Sequence, residues 1–365
     1  MTHPTDSGPI ALAEHDFLFA GGHYEDTPSG KFLVGAMYAE RYVPQECSQP
    51  YPVVMFHGGV QTGTNFLATP DGRRGWLHDF LRAGYAVYIV DQPERGRSGH
   101  AVEEASSPPL LRYSAELIEE RFSASENAAL WPQAVRHTGW PGSGRVGDPI
   151  FDQFYASQVQ MLADRDEIER LCRDAGSALL DKIGPAILLT HSQSGPFGWL
   201  IADARPELTK AIVAAEPNGP PFYDVQFRGG DTQWYEYESQ MARPYGITRQ
   251  PLAFDPPLSS GATPTPTATP SPADPELTHG FVQAQPARRL PNLAGVPILI
   301  LTAEASYHAT YDHCTSEFLE QAGVAHDFVR LTDHALHGDG HMIMLEKNNH
   351  AVADLILQWL SQHQT

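Results

Sequence analysis

The sequence predicts an α/β fold, a mostly parallel central sheet flanked by helices, and three observations predict it. Short apolar or β-branched runs alternate with longer stretches of helical period, the pattern left by strands joined through crossover helices. Of the 365 residues, 41% are hydrophobic and 10% aromatic, ample for a large buried core. One apolar run, 186–190, leads into a serine among small residues before a helical pattern resumes, which reads as a strand-turn-helix elbow.

In chain order, residues 17–19 and 32–42 alternate or run apolar around Gly21-Gly22 and Ser29-Gly30, so the sheet is expected to begin antiparallel. Strands are then expected at 52–56, 85–90, 186–190, 211–215, 297–301 and 328–331. Helices are expected around Trp76, Leu77, Phe80 and Leu81, over the amphipathic stretch 154–171, and over 352–360. Two stretches break the alternation. Residues 101–152, rich in Ser, Pro and Gly, read as an insertion packed over the strand ends. Residues 217–291 read as a cap, in which Phe222, Tyr223, Phe227, Trp234, Tyr235 and Tyr237 either line an apolar pocket or pack on one another. Within the cap, 251–275 holds eight prolines and is expected to be an extended loop without regular structure. The sheet-bearing core would then comprise 1–216 and 292–365.

A formal net charge of -20 repels phosphate backbones and anionic lipid heads, so nucleic acid is not an expected partner. No apolar run approaches the ~20 residues of a spanning helix, so no membrane partner is expected either. Residues 1–7 show no basic stretch or apolar core of a secretory signal, and the widely spaced Cys47, Cys172 and Cys314 suit free thiols. Both features lead to the expectation of a cytoplasmic protein, with a homo-oligomer possible.

The elbow runs Thr190-His191-Ser192-Gln193-Ser194-Gly195, and a serine on so tight a turn projects its hydroxyl above the sheet. Ser192 is the expected nucleophile. Thr190 and Ser194 stand where the usual G-x-S-x-G has glycines, which makes Ser194 a rival. Centring the elbow on Ser194 would put Pro196 where a helix must supply a backbone donor. His57-Gly58-Gly59 closes the apolar run 53–56 and frees backbone donors, so Gly59 and Gln193 are the expected oxyanion hole. The segment from Asp91 through Arg95-Gly96-Arg97-Ser98 follows the next strand and is expected to be structural.

Taken together, these residues resemble the α/β-hydrolase fold. They are most similar to bacterial and fungal serine esterases whose elbow reads H-S-Q-S-G, as 191–195 does here. The resemblance extends to Thr69-Pro70-Asp71-Gly72-Arg73, to Gly340-His341-Met342 and to Asn348-Asn349, covering about half the chain by motif count. It implies a Ser-Glu-His triad with the acid at Glu216, after the strand that follows the nucleophile. Glu304, ending another apolar run, is the alternative acid. Of the histidines after the last strand, His341 fits the family's G-x-x-H-M pattern, His337 is the alternative base, and His334 comes third.

Two decoys were weighed. Gly142, Gly144 and Gly147 fit G-x-G-x-x-G, yet they follow Trp140-Pro141 rather than a strand, so no nucleotide is expected. Asp333, His334, His337, Asp339 and His341 cluster ligand types but lack H-E-x-x-H spacing, so neither a metal nor a cofactor is expected. The resemblance implies a serine carboxylesterase acting through an acyl-enzyme on a small-molecule ester, which the acidic surface predicts to be neutral and the aromatic cap predicts to be partly apolar. The alternatives are the same triad acting on a lactone, a carbamate or a carbon-carbon bond, or a non-hydrolytic member of the fold.

Overall fold

The computed structural model describes residues 8–99, 109–230 and 232–363; part of the 101–152 insertion and the first seven residues lie outside them. A long antiparallel hairpin opens the sheet, formed by β1 (Leu12–Thr27) and β2 (Gly30–Pro44). The remaining strands are β3 (Val53–Phe56), β4 (Val87–Asp91), β5 (Ala186–His191), β6 (Thr209–Ala215), β7 (Ile298–Thr302) and β8 (Asp327–Arg330). Their spatial order is β1-β2-β4-β3-β5-β6-β7-β8. β2 meets β4 antiparallel, and every pairing beyond β4 is parallel.

The central strands are apolar throughout because both of their faces are covered. Side chains alternate between faces with period two. Met55, Leu189, Val213 and Leu301 join one core with α1 (Trp76–Arg82) and the C-terminal helix. Val54, Leu188 and Phe56 point the other way, onto α2 (Arg165–Ile183) and α3 (Gly195–Ala204). Ile212, Ala214, Ile298 and Ile300 continue that second face against α3 and α4 (Asp312–Gln321). The C-terminal helix is α5 (Asn349–His363), which turns Val352, Ile356 and Leu360 inward. Leu188 is 1% exposed in mid-sheet, so Leu188→Ala is expected to cost about 2–5 kcal/mol in urea unfolding; a loss below about 1 kcal/mol would contradict close packing there.

The structure differs from the expectations in two places. The pattern over 154–171 is not one helix: Pro149–Ala156 ends, Met161–Leu162 forms a short strand, and α2 restarts at Arg165. The cause is Asp164, whose carboxylate accepts from the Asp166 and Glu167 amides at 3.0 and 3.1 Å and caps a new helix. The proline-rich stretch is not wholly irregular either, since Pro266–Ala268 pairs antiparallel with Phe281–Gln283. A second ribbon in the same region pairs Tyr223–Phe227 with Tyr235–Met241. Among the described residues no helix is long and apolar enough to cross a membrane.

Candidate active site

The carboxyl ends of β3, β5, β6 and β7 meet at one edge of the sheet, where chain reversals expose backbone and side chains to a common space. β5 ends at His191, and Ser192 follows in the left-handed region at φ +57°. Such a conformation is strained for a residue with a Cβ, by roughly 1–2 kcal/mol, and it turns the side chain out of the sheet. Close packing behind the turn requires glycine. A Cβ on Gly195 would lie 2.5 Å from the Pro217 side chain. Ser194 is fully buried; its hydroxyl accepts from the His191 amide at 2.8 Å and lies 2.9 Å from the Phe56 and His191 carbonyls. It thus ties the elbow to β3 and does not line the cavity.

β6 ends in a second left-handed residue, Glu216 at φ +50°, also fully buried. Its Oε1 accepts from the Ala303 amide at 2.8 Å, and its Oε2 accepts from Ser306 Oγ at 2.6 Å and His341 Nδ1 at 2.5 Å. That leaves Nε2 of His341 facing the Tyr307 hydroxyl at 3.2 Å, and Ser192 lines the same cavity as both. A continuous chain therefore runs from Tyr307 through His341 to Glu216, with Ser192 beside it in the same cavity.

The other sequence candidates lie apart. Glu304 accepts from the Gly338 amide at 2.8 Å and sits 3.3 Å from Nδ1 of His337, whose side chain is 61% exposed. Neither lines the cavity. Asp333 and His334 are exposed, so the ligand types of that loop do not converge. Among the described residues the group able to offer three converging metal ligands is instead Glu216, His308 and His341, with ligand atoms within 4.8 Å of one another. His308 gives Nδ1 to Asp312 at 2.9 Å, and Asp312 also accepts from Thr302 at 2.6 Å.

Burial decides the electrostatics. Desolvation pushes Glu216 well above the usual carboxylate range, with Asp312 adding repulsion. Desolvation likewise holds His341 well below the usual imidazole value, helped by the neighbouring His191, His308 and Arg121. The resting His341 ring is neutral. His191, held down at about 3 by burial, is neutral too and donates Nε2–H to the His341 carbonyl at 2.9 Å. Rings complete the support: His308 stacks on His341 at 4.8 Å and 6°, and Phe122 at 5.2 Å and 30°.

Opposite the elbow, Gly58 and Gly59 line the same cavity of about 480 Å³ as Ser192, Gln193, Tyr307 and His341. Among the described residues the Gly59 amide has no hydrogen-bond partner. Arg95, buried to 1% exposure, donates to both the Gly58 carbonyl at 3.0 Å and the Gln193 side chain at 3.2 Å, clamping the two loops together. Asp91 accepts from the Gly63 and Arg97 amides at 2.8 and 2.9 Å and braces the loop from below. Of the cap aromatics, Phe227 lines the cavity, whereas Tyr235 and Tyr237 pack with His279 and Phe281.

No family model matches the chain. A fungal protein from strain ATCC 74256, named "Probable secreted lipase phiG", is 45% identical over 352 residues, spanning 95% of this chain and 89% of its own. The chain belongs to the lipase and esterase family of α/β hydrolases. For the fold, a solved structure described as that of a novel bacterial esterase superposes on this hydrolase with a TM-score of 0.64 at 22% identity, covering 100% of both chains. The same fungal relative corrects the expected cytoplasmic location, since it is named as secreted. Unpaired thiols do not report the compartment: Cys172 and Cys314 are buried and pack as small hydrophobes in any redox setting.

Sequence reasoning missed Tyr307, Ser306, His308 and Phe122. The first three follow Glu304 by two to four residues, so the signal was a Ser-Tyr-His run at a strand end already singled out for its carboxylate. Phe122 comes from the insertion and carries no local signal.

Proposed function

We propose that this hydrolase is a serine carboxylesterase in which Ser192 attacks the ester carbonyl. The observation that carries the reading is the 2.5 Å contact between Glu216 and Nδ1 of His341, with Nε2 directed into the cavity where Ser192 stands. As the bond from Ser192 Oγ to the carbonyl carbon forms, the serine proton passes to Nε2 of His341, beside which the Tyr307 hydroxyl lies at 3.2 Å. Glu216 holds the ring with its proton on Nδ1 and stabilises the imidazolium. The Gly59 and Gln193 amides receive the oxyanion. The carbon-oxygen bond to the alcohol then breaks, and the alcohol leaves with the proton from Nε2. Water repeats the sequence on the acyl-enzyme, releasing the acid and restoring Ser192. Three side chains and two amides thus relay every proton and steady every charge, with water supplying the proton that returns to Ser192. A cavity of about 480 Å³ holds a small molecule, with Phe122, Phe227 and Tyr307 available to its apolar part.

A fluorophosphonate labelling experiment with peptide mapping, run beside hydrolysis of 4-nitrophenyl butyrate, tests this directly. The expected result is one adduct, on Ser192, and loss of ester turnover in step with labelling. An adduct on Ser194, or turnover that survives complete labelling, would overturn the assignment.

A further inference from the structure

Within the insertion, the helix Ala115–Ile118 opens into a π-turn, Glu119–Ser123, and widened turns of this kind recur at functional sites. The turn delivers two consecutive side chains to the cavity. Phe122 stacks on His341, and Arg121 places its guanidinium carbon 5.7 Å from the Phe227 ring centre and 5.8 Å from that of Tyr307. Arg121 is half-buried, and among the described residues its guanidinium meets the Phe227 and Tyr307 rings rather than a carboxylate. Arg165, the first residue of α2, lines the same cavity but lies within the field of the Asp224 carboxylate. In a chain with 44 acidic and 24 basic residues, an unpaired arginine beside an active site runs against the supply of partners. Of the cavity's own carboxylates, Asp224 pairs with the buried Arg243 at 2.7 Å, and Glu238 is exposed and accepts from Gln226 at 3.2 Å; neither makes an ion pair with Arg121.

Resting on the serine-esterase reading above, we propose that the cavity selects esters that carry a carboxylate, and that Arg121 is the residue that binds it. One guanidinium edge offers two parallel donors, which match the two oxygens of a carboxylate and leave no surplus charge. The Phe227 and Tyr307 faces hold the guanidinium flat and limit its hydration, which strengthens the pairing. Placement near His341 gives the contact a second effect. An anion on Arg121 cancels the repulsion that this arginine exerts on the imidazolium formed during acyl transfer. The net charge of the protein does not oppose this, because surface charges are screened over about 8–10 Å at ordinary salt.

The carboxylate can sit on the acyl or on the alcohol part, and two substrate pairs separate these sources. The 4-nitrophenyl monoester of glutaric acid is compared with 4-nitrophenyl pentanoate, and the butyrate ester of 4-hydroxybutyric acid with butyl butyrate. For at least one pair, kcat/KM is expected to favour the carboxylate ester by about 10- to 100-fold, chiefly through KM. In Arg121→Gln that preference should fall to within about two-fold, and Arg121→Lys should restore part of it. Glutaric acid monomethyl ester titrated calorimetrically into Ser192→Ala protein, with and without Arg121→Gln, gives a readout that needs no turnover. No preference in either pair, or a preference and binding that survive Arg121→Gln, would overturn the proposal. Arg121-dependent binding with no hydrolysis of any of the four esters would instead overturn the serine-esterase reading and leave the anion site standing.

Discussion

Ser192→Ala is expected to lower kcat on 4-nitrophenyl butyrate by about 10⁴- to 10⁶-fold, with KM changed far less. The hydroxyl makes the only bond the chemistry forms to the protein, and alanine leaves water to attack with help from the oxyanion donors alone. Folding should survive the change. The strain at φ +57° belongs to the backbone and is the same for alanine, and the elbow is held by Ser194 and Gly195 rather than by the Ser192 side chain. Ser194→Ala provides the opposite signature. It removes the acceptor for the buried His191 amide, so thermal stability should drop by the equivalent of about 1–3 kcal/mol while kcat stays within an order of magnitude. Steady-state kinetics beside thermal unfolding separates the two serines. A Ser192→Ala enzyme that keeps more than about 1% of wild-type kcat would sink the nucleophile assignment.

The sheet was legible because its central strands are buried on both faces. Residues 186–190, 211–215 and 297–301 had to be apolar at every position, and such runs stand out from any surrounding pattern. The break between Ala156 and Arg165 was not legible. The apolar period continues across it, and the competing term is one aspartate cap that costs nothing in hydrophobic pattern. Short pairings such as Pro266–Ala268 with Phe281–Gln283 depend on a partner thirteen or more residues away, which a local reading of a proline-rich stretch does not see.

The site divides along the same line. Ser192, Glu216 and His341 occupy ends of strands or the loop after the last one, so chain order alone narrows them to a few candidates. Glu304 and His337 compete with them in the sequence, because both also follow strand ends. Only the fold shows that these two pair with each other away from the cavity. Tyr307, Phe122, Arg95 and Arg121 act through contacts made across the fold. Phe122 reaches His341 from 219 positions away in the chain (341 − 122), and nothing near either residue announces the other.

Glu216→Gln is expected to lower kcat by about 10⁴-fold while leaving the protein folded. Glutamine keeps the length and shape of the side chain, its oxygen can still accept from the Ala303 amide, and the Ser306 hydroxyl can rotate to accept from the new amide nitrogen, so packing is preserved. The carboxylate charge is lost. An amide nitrogen turned toward His341 would drive the ring proton onto Nε2, where it blocks acceptance of the serine proton; an amide oxygen turned toward it would fix the ring correctly but supply no charge to the imidazolium. In either rotamer the transition state loses its counter-charge in a site where burial makes every charge expensive, which is why the effect should fall on kcat rather than KM. Glu304→Gln is the control that decides between the two strand-end acids. Its carboxylate faces a mostly exposed histidine outside the cavity, so kcat should stay within about five-fold of wild type. A larger loss for Glu304→Gln than for Glu216→Gln would assign the acid to β7 instead of β6. It would also leave unexplained why a fully buried carboxylate just past β6 accepts from Ala303, Ser306 and His341.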